Sequence, residues 1–249
     1  MEEKKEINNK TRIIKKWQFI LMFILTLIHI GFLIYSFYSY TLYSFLIHLT
    51  MWSFIFCSVY LILILIIDSF VFFKNQNKLE KLNKIVRNIL ASIFYPFCLT
   101  ISIGFWGIMI VGLIFKFDSF ASKDVEITPR RVIVNIYYHF LVAVIMGLDL
   151  FFTEREKINF NKITFIAITI IYGLYGTVVC VDKYCFEKYA YEFMKNISVL
   201  GMIGTGVAIY ALLCGSYFLY IVLVNKLNKN KIEDIPMDEE EEHNLVKED

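Results

Sequence analysis

From Trp17 to Ile67 the chain runs 51 residues without a single Asp, Glu, Lys or Arg. As a helix rising ~1.5 Å per residue, that stretch would be roughly 76 Å long, more than twice the ~30 Å of a bilayer's hydrocarbon core. It must therefore cross, turn and cross back, and the polar patch from Ser39 to Ser44 supplies the turn. Composition points to the same solvent. Apolar residues make up 58% and charged residues 19% of the chain, where a soluble domain runs near half and about a quarter.

Further runs follow with little or no charge: Asn88 to Phe115, Val132 to Thr153 carrying only Asp149, Ile163 to Val181, and Asn196 to Val224. Each is apolar on every side, whereas a membrane β-barrel needs short strands of alternating polarity, so helices are predicted. The predicted fold is all-α: six transmembrane helices over about 17–37, 45–67, 89–115, 132–152, 163–181 and 197–224. These make a 17–224 transmembrane domain between an N-terminal tail (1–16) and an acidic C-terminal tail (225–249). The first span is too long for a signal-peptide core and shows no small-x-small cleavage pattern, so it reads as a retained anchor.

Orientation follows from the flanking Lys and Arg. The N-terminus, the second and fourth linkers and the tail carry eighteen of them, and the two opposite linkers carry seven. Both termini are predicted to be cytoplasmic, in a multi-pass protein of the plasma membrane or endoplasmic reticulum. The acidic run Asp238 to Glu242 offsets much of the basic charge and reads as a solvated tail, so nucleic-acid binding has no support. Leu79, Leu82, Ile85, Val86 and Ile89 recur at helical spacing among Lys78, Lys81 and Lys84, which predicts a basic amphipathic helix on the cytoplasmic leaflet before the third span.

Several motifs dissolve on inspection. Gly201, Gly204 and Gly206 lie in an apolar span with no preceding strand, so close helix packing explains them better than a nucleotide loop. Cys57, Cys98 and Cys214 lie inside spans and behave as small hydrophobes, while Cys180 and Cys185 fall where an oxidised pair is conceivable. His29, His48 and His139 form no metal-binding pair, and no metal or organic cofactor is expected.

Ionisable groups at hydrocarbon depth remain, led by His139 and Asp149. His139 lies seven residues beyond Val132, roughly 10 Å deep, and Thr50 lies six beyond Ser44, roughly 9 Å deep from the same side. A threonine hydroxyl becomes a useful nucleophile when a nearby base takes its proton, and imidazole suits that role near neutral pH. Thr50 and His139 are thus candidates for acyl transfer. His48, two residues before Thr50, faces away unless the helix has not yet begun there. Asn135, four residues before His139, shares its face and is a candidate to fix its tautomer or donate to an oxyanion. The bland alternative is a threonine bonded to its own helix and a histidine pairing with a neighbour.

In order, Leu49-Thr50, Asp68, Arg87, Pro96, Phe105-Trp106, Asn135 and Tyr138-His139 resemble the androgen-induced gene / androgen-dependent TFPI-regulating protein family. Asn88 stands where that pattern has Asp, and Tyr191-Glu192-Phe193 where it has Trp-x-Tyr-Pro. The resemblance implies six spans and a threonine hydrolase that cleaves fatty acid esters of hydroxy fatty acids, its essential Thr and His falling on Thr50 and His139. The lipid ester would enter from the bilayer into an apolar cavity between the helices. The alternative is a small six-span transporter or lipid-binding membrane protein, with Asp149 and His139 as a proton relay. A scaffold recruiting partners through its acidic tail is a third reading.

Overall fold

The computed structural model describes residues 2–74, 77–115, 128–153, 155, 157–187, 189 and 198–233. Among them there are helices and no strand: α1 (Glu2–Ser39), α2 (Leu42–Ile47), α3 (Leu49–Lys74), α4 (Asn77–Phe115), α5 (Pro129–Ile136), a π-helical turn (Tyr137–Leu141), α6 (Val142–Phe152), α7 (Lys162–Phe186) and α8 (Val199–Glu233). Six segments are long and apolar enough to cross a membrane: Lys16–Ser39, Leu49–Phe70, Ile85–Gly107, Val132–Phe152, Lys162–Phe186 and Val199–Asn228. The chain is an all-α, multi-pass membrane protein. With six crossings, α1 begins and α8 ends at the same end of the bundle, called here the terminal end; the other is the distal end.

Helix α3 lies at the centre. Phe54, Cys57, Leu61 and Ile64 recur every three or four residues and are all buried, the stripe of a helix facing neighbours on one side. They pack against Ala91, Tyr95 and Cys98 of α4 and against Val142, Ile145 and Met146 of α6. Helices α3 and α4 run antiparallel in a definite register: the Cys98 thiol donates to the Ser53 carbonyl at 3.7 Å, and the Phe56 ring lies 4.9 Å from Phe94 and 5.4 Å from Phe97. Helix α8 continues the layer, Tyr220 lying 5.5 Å from Tyr95 and Ser216 accepting from Thr100 at 3.1 Å. The outer face carries exposed Ile24, Leu27, Phe140, Ile166, Leu174, Val207 and Val222. An apolar surface of this extent belongs in hydrocarbon, since in water it would drive aggregation.

Three local expectations are revised. The basic stretch before the third span is no separate helix on the leaflet, because α4 is one unbroken helix of 39 residues from Asn77. Helix α7 continues through Phe186, so Cys180 and Cys185 share one helix and are unpaired. Five residues of helical rise separate them by ~7.5 Å along the axis, more than the ~4.4–6.8 Å between Cα atoms that a disulfide bridges. The second span starts at Leu49 rather than near Phe45, because α2 is a helix of its own. The acidic run Asp238 to Glu242 and Tyr191-Glu192-Phe193 lie outside the described residues.

Candidate functional site

The break between α2 and α3 falls at His48, whose backbone is extended (φ −101, ψ 119). A break in an apolar run strands carbonyls at the end of α2, and in hydrocarbon each needs a partner. The partners are present. The indole of Trp52 donates to the Leu46 carbonyl at 2.9 Å, the Tyr175 hydroxyl of α7 donates to the Ile47 carbonyl at 3.2 Å, and His48 Nδ1 donates to the Ser44 carbonyl at 2.9 Å. The Tyr43 hydroxyl binds both carboxylate oxygens of Asp182 at 2.5 Å, tying α2 to α7 a second time.

Thr50 is therefore the second residue of α3 rather than the sixth of a continuous span, and it is 6% exposed. It stands where the amides of a helix have no carbonyl four residues back. The condition under which His48 escapes the phase argument is met, because no helix passes through it. Thr50 lies one turn above Phe54 on the same face of α3. Phe54 packs edge-on to Tyr138, ring centroids 5.0 Å apart, so Thr50 faces the side on which the π turn lies.

The π turn explains how Tyr137, Tyr138 and His139 can all serve the interior. The Val142 amide reaches back five residues to the Tyr137 carbonyl, which widens the turn and admits one more residue to it. Tyr137 and Tyr138, adjacent in sequence, are 2% and 3% exposed. A regular α-helix would set them ~100° apart and turn the third residue away.

His139 lies flat on Phe105 of α4, ring centroids 3.6 Å apart and planes 5° from parallel. Its Nδ1 is buried and has no hydrogen-bond partner among the described residues. The α3/α4 register sets the height of this pair. Cys98 is level with Ser53, and Phe105, seven residues further on, is ~10.5 Å nearer the distal end. That places His139 level with the break at His48, within about one helical turn of Thr50 along the bundle axis. His48 lies within electrostatic reach of His139. No hydrogen bond joins Thr50 to His139 among the described residues, and Asn135 is exposed and makes none to His139.

Asp149 and Asp68 belong to a different construction, near the terminal end. Asp149, fully buried, pairs with Arg87 and with Arg155 (2.5 Å) and accepts from Tyr60. Arg87 also binds Asp68 at 2.5 Å, and Asn83 donates to the same carboxylate. Arg155 folds back from the linker after α6 to donate to the Arg87 carbonyl at 2.7 Å and to the Tyr220 hydroxyl at 3.3 Å. Burial works against the Arg155 charge, but the facing Tyr60, Tyr220 and Asp149 oxygens outweigh it and hold the guanidinium above its usual range. Two arginines and two aspartates balance, as buried charge requires. Among the described residues Asp149 bonds to this cluster and shares no direct hydrogen bond with His139. Single ionisable residues in a span could have signalled this cluster, but Arg155 read as a linker charge.

An apolar cleft of about 180 Å³ opens beside the break, lined by Phe37, Leu42, Phe45, Leu46, Trp52, Ile55 and Phe56. Neither Thr50 nor His139 lines it, and it is smaller than the ~300–1,000 Å³ of an ordinary small-molecule site.

Among curated proteins and among solved structures nothing matches this chain. A family model does match, that described as FAR-17a/AIG1-like protein, over residues 18–229, which take in all but the first two residues of the six spans, the His48 break, the π turn and the buried ion cluster. The chain belongs to this family, the androgen-induced gene family that the order of Thr50, Asp68, Arg87, Pro96 and His139 resembles.

Proposed function

We propose that the protein is an intramembrane threonine-dependent esterase that hydrolyses fatty acid esters of hydroxy fatty acids, with Thr50 as nucleophile and His139 as general base. The observation that carries this reading is the buried, unpartnered Nδ1 of His139, on a ring held flat by Phe105 at the height where α3 begins. A buried polar atom without a hydrogen bond costs about 1–3 kcal/mol and calls for an explanation, and a base awaiting substrate supplies one. Family membership supports a hydrolase in general terms.

In the reaction, Thr50 Oγ attacks the ester carbonyl carbon as its proton passes to His139. The tetrahedral alkoxide collapses, the bond to the hydroxy fatty acid oxygen breaks, and that oxygen takes the proton from His139. Water then adds to the acyl-threonine ester, its proton going to His139, and the fatty acid leaves as Thr50 recovers its proton. The Met51 and Trp52 amides already donate to the His48 carbonyl, so the donor for the developing oxyanion is the Thr50 amide itself, second in α3. No cofactor enters. The lipid ester arrives laterally from the bilayer.

The test is hydrolysis of a defined fatty acid ester of a hydroxy fatty acid by purified protein in detergent, with Thr50→Ala and His139→Ala beside wild type. Both variants should lose activity, by about 10²–10⁴-fold for the base. Wild-type turnover in either folded variant overturns the assignment.

A further inference from the structure

His29 is 1% exposed in the middle of α1, and both its ring nitrogens are engaged. Its Nδ1 lies 2.8 Å from the Tyr137 hydroxyl and its Nε2 lies 2.9 Å from Ser58 Oγ. The direction of each bond can be worked out. Ser58 spends its hydroxyl hydrogen on the Phe54 carbonyl at 2.8 Å, so the hydrogen between Ser58 and His29 must come from His29. With its hydrogen on Nε2, the neutral ring presents a lone pair at Nδ1, and Tyr137 donates to it. One directed chain thus runs from the π turn through α1 to the Phe54 carbonyl of α3.

The same helix holds the turn at two further points. Phe32 stacks on Tyr137 with ring centroids 3.6 Å apart. Ser36 donates to the Phe32 carbonyl at 2.6 Å and so accepts from Tyr138. Tyr137 and Tyr138 are therefore fastened to α1, and the next residue is His139, whose ring reaches the opposite way, onto Phe105 of α4. A π turn is an irregular stretch that a helix sheds unless its surroundings over-determine it.

We propose that His29 is a positioning residue for His139: by accepting from Tyr137 and donating to Ser58 it holds the π turn open, and the open turn fixes the direction of the His139 ring. This rests on the reading of His139 as general base, but the placement of the ring can be measured without any turnover.

The protein has four histidines, few enough to follow by selective isotope labelling and NMR of the full chain in detergent, with the His139 signal identified by its loss in His139→Gln. The variants are His29→Leu, which abolishes both bonds; His29→Gln, whose amide can accept from Tyr137 and donate to Ser58; and Tyr137→Phe, which removes only the donor and keeps the ring against Phe32. The His139 ring signals should move or broaden in His29→Leu and Tyr137→Phe and stay at the wild-type position in His29→Gln. Turnover in the first two should fall about 10²-fold in kcat with KM within about twofold, as expected for a base displaced by an ångström. An unchanged His139 signal in folded His29→Leu or Tyr137→Phe overturns the proposal. Should His29→Leu not fold, Tyr137→Phe against His29→Gln makes the same comparison. Moved signals in a protein whose wild type hydrolyses nothing would leave the brace standing and bring down the esterase reading.

Discussion

Phe105 lies parallel on the imidazole of His139, 3.6 Å from centroid to centroid. The contact comes from a different helix than the one bearing the histidine, so the ring's orientation depends on α4 as well as on the π turn. Without that contact the ring is free to turn, and a small misplacement of a catalytic group is enough to slow a reaction. Phe105→Leu is expected to cost up to about tenfold in kcat, with little change in thermal stability, whereas Phe105→Tyr should keep the stack and the rate. Hydrolysis assays on the two variants decide it.

Thr50→Ser keeps a hydroxyl at the start of α3 and is expected to hydrolyse within about tenfold of wild type. Thr50→Val keeps the shape without the hydroxyl and should fall by more than about 10³-fold, the signature of a missing nucleophile. Equal rates for the two in a steady-state assay would remove Thr50 from the chemistry.

Asp149 balances two guanidinium groups inside the bundle, its own side chain fully buried. Asp149→Ala should destabilise by about 3–5 kcal/mol, because it leaves Arg87 and Arg155 facing each other without the anion between them. Arg155→Met, which removes a cation and leaves Asp149 paired with Arg87, should cost less. Thermal unfolding in a single detergent, followed by loss of monodispersity, gives the ranking.

Trp52 and Tyr175 satisfy the carbonyls at the end of α2. Trp52→Phe keeps an aromatic side chain, smaller than the indole, and loses the N–H, stranding the Leu46 carbonyl at an expected cost of about 1–3 kcal/mol. Hydrogen exchange at the first amides of α3 should rise in that variant and remain unchanged in Trp106→Phe.

Cys180 and Cys185 are exposed and unpaired on α7, while Cys57 and Cys98 are buried. Mobility on a denaturing gel is expected to be the same with and without reductant. With the termini cytoplasmic, an impermeant maleimide supplied to sealed membrane vesicles from their exoplasmic side should label Cys185, with Cys57 and Cys98 reacting only after unfolding. Labelling of Cys185 from the cytoplasmic side alone would reverse the orientation.

The six crossings were legible because each is a long run with almost no charge, and hydrocarbon tolerates little else. The two irregularities at the candidate site were not. An uncharged run reads the same whether it is one helix or two with capped carbonyls between, and the caps on Leu46 and Ile47 come from Trp52, six residues on, and Tyr175, on another helix. The π turn left a trace in the sequence, three adjacent residues with polar groups, Tyr137, Tyr138 and His139, which a 3.6-residue period cannot bury together. Thr50 and His139 were legible as reactive types at like depth, but the stacking of His139 on Phe105, a residue of another helix, depends on tertiary packing. Asp68 and Asp149 stood out as carboxylates in grease, yet their partners lie up to 89 positions away in sequence.

The extra residue in the π turn also sets an angle. Below it, α6 carries Asp149 into the ion cluster; at it, His139 turns toward α4. Each residue of a regular helix advances the side chains by ~100°, so deleting one residue from 137–141 would swing everything beneath by about that much relative to everything above. Asp149 could then meet its arginines or His139 could meet Phe105, but one rigid helix could not present both. The fourth span thus works as a phase adjuster that keeps two polar centres, at opposite ends of an oily bundle, aimed inward on a single rod.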